Sequence, residues 1–236
     1  MNGAMVIDQR NAGASVTIGS ANGLYTLDRY SWYTSQASKL STQQSSTAPT
    51  GFTKSMLITS LSAYTPISGD YFFVRQNIEG FNVADLAWGT SSAATVTLSF
   101  WVRSSLTGTF SGAIGNSANS RTYAYTYTIS SANTWEQKTI TIPGDTTGTW
   151  NTSTSVGMNV VFGMGVGSAY SGTAGSWAGA DYLSSTGATS VLNSKVYLSG
   201  DSGLPNLLYT SFHCSSVADL PGRGILSVPI IDTALM

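Results

Sequence analysis

Strict alternation of apolar and hydroxylated side chains is the feature that most narrows what this chain can fold into. In Thr95-Val96-Thr97-Leu98-Ser99-Phe100-Trp101-Val102-Arg103 the even positions Val96, Leu98, Phe100 and Val102 make one apolar face. The odd positions Thr95, Thr97, Ser99 and Arg103 face the other way, joined there by Trp101. A side-chain period of two is the signature of a strand with one buried face. It recurs from Thr122 to Ile129, where Tyr123, Tyr125, Tyr127 and Ile129 share a side best read as a buried sandwich face. It recurs again in Thr139-Ile140-Thr141-Ile142, which the turn residues Pro143-Gly144-Asp145 stop. From Met158 to Val166 the apolar side is Met158, Val160, Phe162, Met164 and Val166. Gly163, Gly165 and Gly167 lie opposite and mark a bulge or a close approach by another backbone.

Positions 71–78, 106–114, 56–60 and 194–198 read as further strands. Helical periodicity is almost absent, apart from one turn near Val83-Ala84-Asp85-Leu86, and no internal repeat is found. Positions 35–50, rich in Ser and Thr, read as an exposed loop that Pro49 helps to end. Short strands between Gly/Ser/Thr/Asn turns predict an all-β, antiparallel sandwich or barrel.

The surface is unusual. Charged residues make up only 9% of the chain, against about 25% in an ordinary soluble domain. Ser and Thr, more than a quarter of the sequence, must solvate it instead. Ten basic residues scattered singly and a net charge of −1 exclude the clustered cations that nucleic acid requires. One cysteine, Cys214, excludes an internal disulfide and thiolate metal sites. No Asp-rich loop of the calcium type appears, so no metal or cofactor is expected. No apolar run is long enough to span a membrane as a helix. The start, Met1 to Asp8, has neither a basic region nor an apolar segment of the secretory type. Such a surface without a leader or disulfide suits a virion protein, folded in the host cytoplasm and exposed after lysis. A chain cut from a longer one would look the same.

Texture changes after about residue 200, giving an expected division into a 1–200 sandwich domain and an atypical 201–236 strand or arm. From Gly203 onward come three of the six prolines, the only His and the only Cys. The apolar segment Ile225 to Ile231 has no evident partner strand.

Several motifs carry a resemblance. Asn82-Val83-Ala84-Asp85-Leu86-Ala87-Trp88-Gly89-Thr90, Leu98 to Ser105, and Ser131-Ala132-Asn133-Thr134-Trp135-Glu136-Gln137-Lys138 resemble a domain of phage tail-fibre and related virion proteins. So do Ile142 to Trp150, the opening Asn2-Gly3-Ala4-Met5 with Ile7 to Asn11, and Tyr25 to Arg29. The likeness covers roughly residues 1 to 200 and departs at Asp201-Ser202-Gly203-Leu204. More loosely, Phe100 to Arg103 with Thr134-Trp135-Glu136 is similar to jelly-roll carbohydrate-binding modules. The resemblance implies an antiparallel jelly-roll β-sandwich on a phage particle, a homotrimer among other virion proteins, binding a glycan of the host surface. The alternative is a capsid decoration or tail-attachment subunit that binds no glycan.

Sugar recognition stacks an aromatic ring on the apolar face of a pyranose and surrounds it with a few placed polar groups. Trp150, Tyr170, Trp177 and Tyr182, with Asn151 and Asp181 as polar partners, lie in Gly/Ser-rich segments and are the candidate glycan-binding residues. Trp177, with little apolar company in sequence, is expected to keep one face open. The competing reading has these rings cover sandwich ends or subunit contacts, as Trp32, Trp88, Trp101 and Trp135 are expected to do. Catalysis has little support. His213 next to Cys214 lacks an orienting third group. Glu136 and Asp145, which could in principle form a glycosidase pair, read as a strand-edge charge and a turn residue. A non-enzyme is expected.

Overall fold

The computed structural model describes residues 2–193 and 206–216, the latter stretch as backbone. Its strands, in chain order, are β1 (Val16–Thr17), β2 (Ala21–Tyr25), β3 (Tyr30–Thr34), β4 (Leu40–Ser45), β5 (Ser55–Ser60), β6 (Tyr71–Glu79), β7 (Val96–Ser104), β8 (Gly108–Asn116), β9 (Thr122–Ile129), β10 (Glu136–Ile142), β11 (Val156–Val166), β12 (Ser171–Gly172), β13 (Trp177–Ala178), β14 (Ser184–Ser185) and β15 (Asn206–Ser216). The only helical pieces among the described residues are short 3-10 turns, one of them Ala84–Leu86.

One sheet has the order β1-β4-β5-β15-β7-β10 and the other β13-β9-β8-β11-β6-β3-β2. Pairing within both is antiparallel. The chain crosses between sheets from β5 to β6 to β7 to β8, and again from β9 to β10 to β11 to β15. This is an antiparallel jelly-roll β-sandwich.

The alternation explains the layers. In β7 Val96, Leu98, Phe100 and Val102 are at most 2% exposed. Phe100 meets Tyr127 of the facing sheet edge-on at 5.0 Å and Phe162 at 5.2 Å. Tyr123, Tyr125 and Tyr127 are all buried in the same core. Each large apolar side chain so enclosed contributes roughly 1.5–3 kcal/mol.

Two expectations need correction. The stretch 35–50 is not simply an exposed loop, because β4 runs through it and buries Leu40, Ser41 and Thr42. Its hydroxyls hid a strand that lies inside the sheet between β1 and β5. β10 begins at Glu136 rather than Thr139, in register with β7 along its whole length. The glycines of β11 meet both expectations made of them. Register shifts between Gly163 and Gly165, and a Cβ at Gly163 would press on backbone oxygens of Ser111 at 3.1 Å and Leu183 at 3.3 Å.

β15 lies beyond residue 200 and runs between β5 and β7, pairing with both. Positions 194–198 and 225–231 lie outside the described residues.

Candidate functional site

The seven-stranded sheet presents its outer face through the odd positions of β6. Phe72, Val74 and Ile78 enter the core, so Tyr71, Phe73, Arg75, Asn77 and Glu79 take the other side. Between β11 and residue 190 the chain makes an excursion across this face. It is fixed by Ser185 N–H donating to Ser111 Oγ at 2.7 Å, by Thr189 N–H donating to Thr109 O at 2.7 Å, and by the β13–β9 pairing. Leu183 of the excursion joins Phe73, Ala113 and Val161 in a small apolar cluster outside the main core.

Between the excursion and β2–β3 a hollow of about 260 Å³ remains, lined by Asn22, Tyr33, Tyr71, Phe73, Arg75, Asn119, Tyr170, Asp181 and Leu183. Its aromatics have different jobs. Phe73 stacks on Tyr33 at 4.9 Å and the Arg75 guanidinium sits 4.2 Å from the Tyr33 ring centre. Arg75 also donates to the Tyr33 hydroxyl. Tyr33 is thus used within the protein. Tyr71 and Tyr170, both half-buried, meet edge-on at 5.5 Å and form the aromatic wall of the hollow.

Its polar groups are held in a chain. Asn159, 2% exposed, donates from Nδ2 to Asn116 O at 3.0 Å and to Asn119 Oδ1 at 3.1 Å. Asn119 and the Asp181 carboxylate both line the hollow. Burial pushes the Asp181 carboxyl above its ordinary pKa, against the opposing pull of Arg75 and Asn119. Arg75 Nε, Asn77 Oδ1, Asn159 Oδ1 and Asp181 Oδ1 are enclosed and have no hydrogen-bond partner among the described residues. An enclosed polar group without a partner costs about 1–3 kcal/mol. Apart from Asp181, the cluster sits on alternate rungs of one ladder, because Val161 pairs with Arg75 and Asn159 with Asn77.

The six residues expected from sequence are not gathered in one place. Tyr170 and Asp181 line this hollow. Tyr182 follows directly but packs its ring against Gly172 within the excursion. Asn151 closes the loop before β11, donating to Val156 O at 3.1 Å and accepting from Ser153 N–H at 2.9 Å. Trp150 and Trp177 join Trp88 in a trio of edge-on contacts at 4.7, 5.2 and 5.6 Å. Trp177 stays partly exposed, but its apolar company, scant in sequence, is supplied in space. Tyr123 and two indoles surround it, although all three come from elsewhere in the chain. All three indole N–H groups are used internally, by Ala94 O at 2.7 Å, Asp145 Oδ2 at 3.2 Å and Pro143 O at 2.8 Å.

Asp145 is more than a turn residue. It is 1% exposed and takes two hydrogen bonds from Arg121, at 2.6 and 2.9 Å. Burial alone would raise its carboxyl pKa, but the bonds from Arg121, Trp150 and Thr147 outweigh this and hold it below the usual range. Glu136 is paired with Lys138 at 2.5 Å. Both acids thus serve the sandwich. His213 and Cys214 lie on β15. Among the described residues no group of three or more His, Cys, Asp or Glu side chains gathers, and no helix is long and apolar enough to cross a membrane.

Sequence reasoning missed Asn22, Tyr33, Tyr71, Phe73, Arg75 and Asn119. A signal existed for three of them: with Phe72 and Val74 assigned to the core, parity alone sends Tyr71, Phe73 and Arg75 to the outside.

The fold and this outer-face hollow define a jelly-roll sandwich with an aromatic and amide-lined depression on one sheet. No family model matches the chain, and no curated protein matches it. Solved structures give likeness of layout. A candidate sugar-binding protein of Bacteroides thetaiotaomicron is 11% identical, with 91% of this chain and 97% of that one covered and a TM-score of 0.47. A family 11 carbohydrate-binding module of Clostridium thermocellum is 16% identical over 66% and 99% of the two chains, with a TM-score of 0.34. A xylan-binding domain of Paenibacillus barcinonensis is 7% identical over 89% and 99%, with a TM-score of 0.35.

Proposed function

We propose that this chain is a non-catalytic glycan-binding module on the surface of a phage particle, and that it seats a sugar of the host surface in the hollow beside β6. The observation that carries the reading is the hollow's composition. Tyr71 and Tyr170 supply aromatic surface, while Asn22, Asn119, Arg75 and Asp181 supply donors and acceptors around it. An apolar wall with a few fixed polar groups suits a ring with one apolar face and a hydroxyl rim. The particle, the homotrimer and the other virion proteins as partners are supported by the sequence motifs from Asn82 to Thr90 and from Ile142 to Trp150.

A glycan array on the full chain, followed by titration of what it retains, tests the reading. Tyr170→Ala is expected to weaken binding about tenfold, equivalent to roughly 1.4 kcal/mol, with little change in melting temperature. Retention of no glycan, or a Tyr170→Ala protein that binds as tightly as the parent, overturns it and leaves the structural-subunit alternative.

A further inference from the structure

A second hollow of about 570 Å³ opens on the same sheet face, at the turn end of the β2–β3 hairpin. Tyr25, Arg29, Asn77, Glu79 and Ser155 are among its walls. It is built like the first. Tyr25 is 40% exposed and belongs to neither apolar cluster. The Arg10 guanidinium lies 5.3 Å from its ring centre, and Arg10 is itself held 3.8 Å from Asp28. Asp28 also accepts from Gln9 N–H at 2.8 Å, which fixes this wall to the N-terminal segment. Across the hollow Arg29 and Glu79 pair at 2.6 Å. Aromatic surface among preset polar groups is therefore found twice on one face, half-buried at Tyr71 and Tyr170 and exposed at Tyr25.

The two hollows are neighbours along β6. Arg75 lines the first and Asn77 the second, and both are outward positions of β6, roughly 6–7 Å apart along the strand. Asn77 Oδ1 and, on the next strand, Asn159 Oδ1 are enclosed and lack a partner among the described residues. Packing of the sandwich does not account for the exposed tyrosine at this end.

We infer that the Tyr25 hollow is a second sugar subsite, and that the ligand is an oligosaccharide chain lying along β6 across both hollows rather than a single terminal sugar. This rests on the glycan-binding reading and extends it. A linked pair of subsites multiplies affinity, because the second sugar binds at the effective concentration set by the first.

The test uses the full chain and size-fractionated fragments, from one to six sugars, of dextran, xylan, mannan and bacterial O-polysaccharide. For whichever series binds, the dissociation constant is expected to tighten at least about tenfold between the shortest binding fragment and the hexasaccharide. Tyr25→Ala, at an exposed position where folding is little affected, is expected to abolish that gain while leaving the shortest fragment's affinity unchanged. Tyr170→Ala is expected to weaken every length alike. Equal affinity at all lengths, or a Tyr25→Ala protein that keeps the length dependence, overturns the two-subsite inference and leaves glycan binding standing. Absence of binding by every series at every length overturns both.

Discussion

Two aromatic clusters, built from similar residues, have opposite fates in this molecule. Trp88, Trp150 and Trp177 pack edge to edge and direct every indole N–H to an acceptor of the protein. Tyr71 and Tyr170 pack edge to edge as well, but they border an open hollow whose lining includes Arg75 and Asp181, each with an enclosed atom that has no partner among the described residues. Trp150 and Trp177 are partly buried, as Tyr71 and Tyr170 are, so the contrast lies in the polar groups: the first cluster spends its hydrogen bonds within the protein and the second does not. For a sandwich whose surface has few charges, unspent hydrogen-bonding capacity beside an aromatic ring marks a binding face better than the count of aromatics does.

The largest expected effect would break this comparison at its closed side. Trp88→Ala removes the ring that touches both other indoles and should cost about 4 kcal/mol. Thermal unfolding should show a fall of roughly 10 °C, while the glycan affinity of the folded fraction at low temperature stays the same. A loss of affinity without a loss of stability would make the tryptophans the binding site after all.

Next in size is Asp145→Asn, which takes the charge from the carboxylate joining Arg121 to Trp150. Breaking a buried pair on one side should cost about 3 kcal/mol at neutral pH. Because the folded carboxyl pKa is depressed, the parent's advantage is complete above the unfolded carboxylate range, near pH 4, and disappears as pH falls through the folded value. Denaturant titrations from pH 7 to pH 3 should show the two proteins converging in acid.

The smallest effect sharpens the open side. The pKa of Asp181 is raised by burial, so its ionisation opposes folding, and the opposition grows as pH rises from the unfolded carboxylate range through the folded value. Asp181→Asn should therefore melt no lower than the parent at pH 7, and its relative stability should improve between pH 4 and pH 7. Its glycan affinity should fall a few-fold. A melting temperature below the parent's would show Asp181 to be structural, like Asp145.

How much of this was legible in the sequence depended on where hydroxyls were placed. From β5 to β11 apolar residues mark the core side, and the alternation of Val96 to Val102 or Met158 to Met164 shows the strand and its buried face together. In β4 the sandwich buries Ser41 and Thr42, so the pattern that reveals other strands is silent there. Tyr30-Ser31-Trp32-Tyr33-Thr34 does alternate, yet its outward Tyr33 obscures the contrast. The hollow was harder to find, since β2, β3, β6, the turn at Asn119 and the excursion each contribute to it. Only Tyr170 and Asp181 stood out, because they lie in a segment with few other large side chains. Trp177 stood out for the same reason, although its neighbours in space arrive from remote parts of the chain.

The position of β15 has a consequence for how such a molecule is made. Its backbone fills the space between β5 and β7, so these two strands face an empty slot until the ribosome has delivered residue 216. During that interval two rows of unpaired amides and carbonyls are available to any foreign strand. A nascent chain cut short before Asn206 would keep that slot open and would be drawn toward aggregation rather than completed folding.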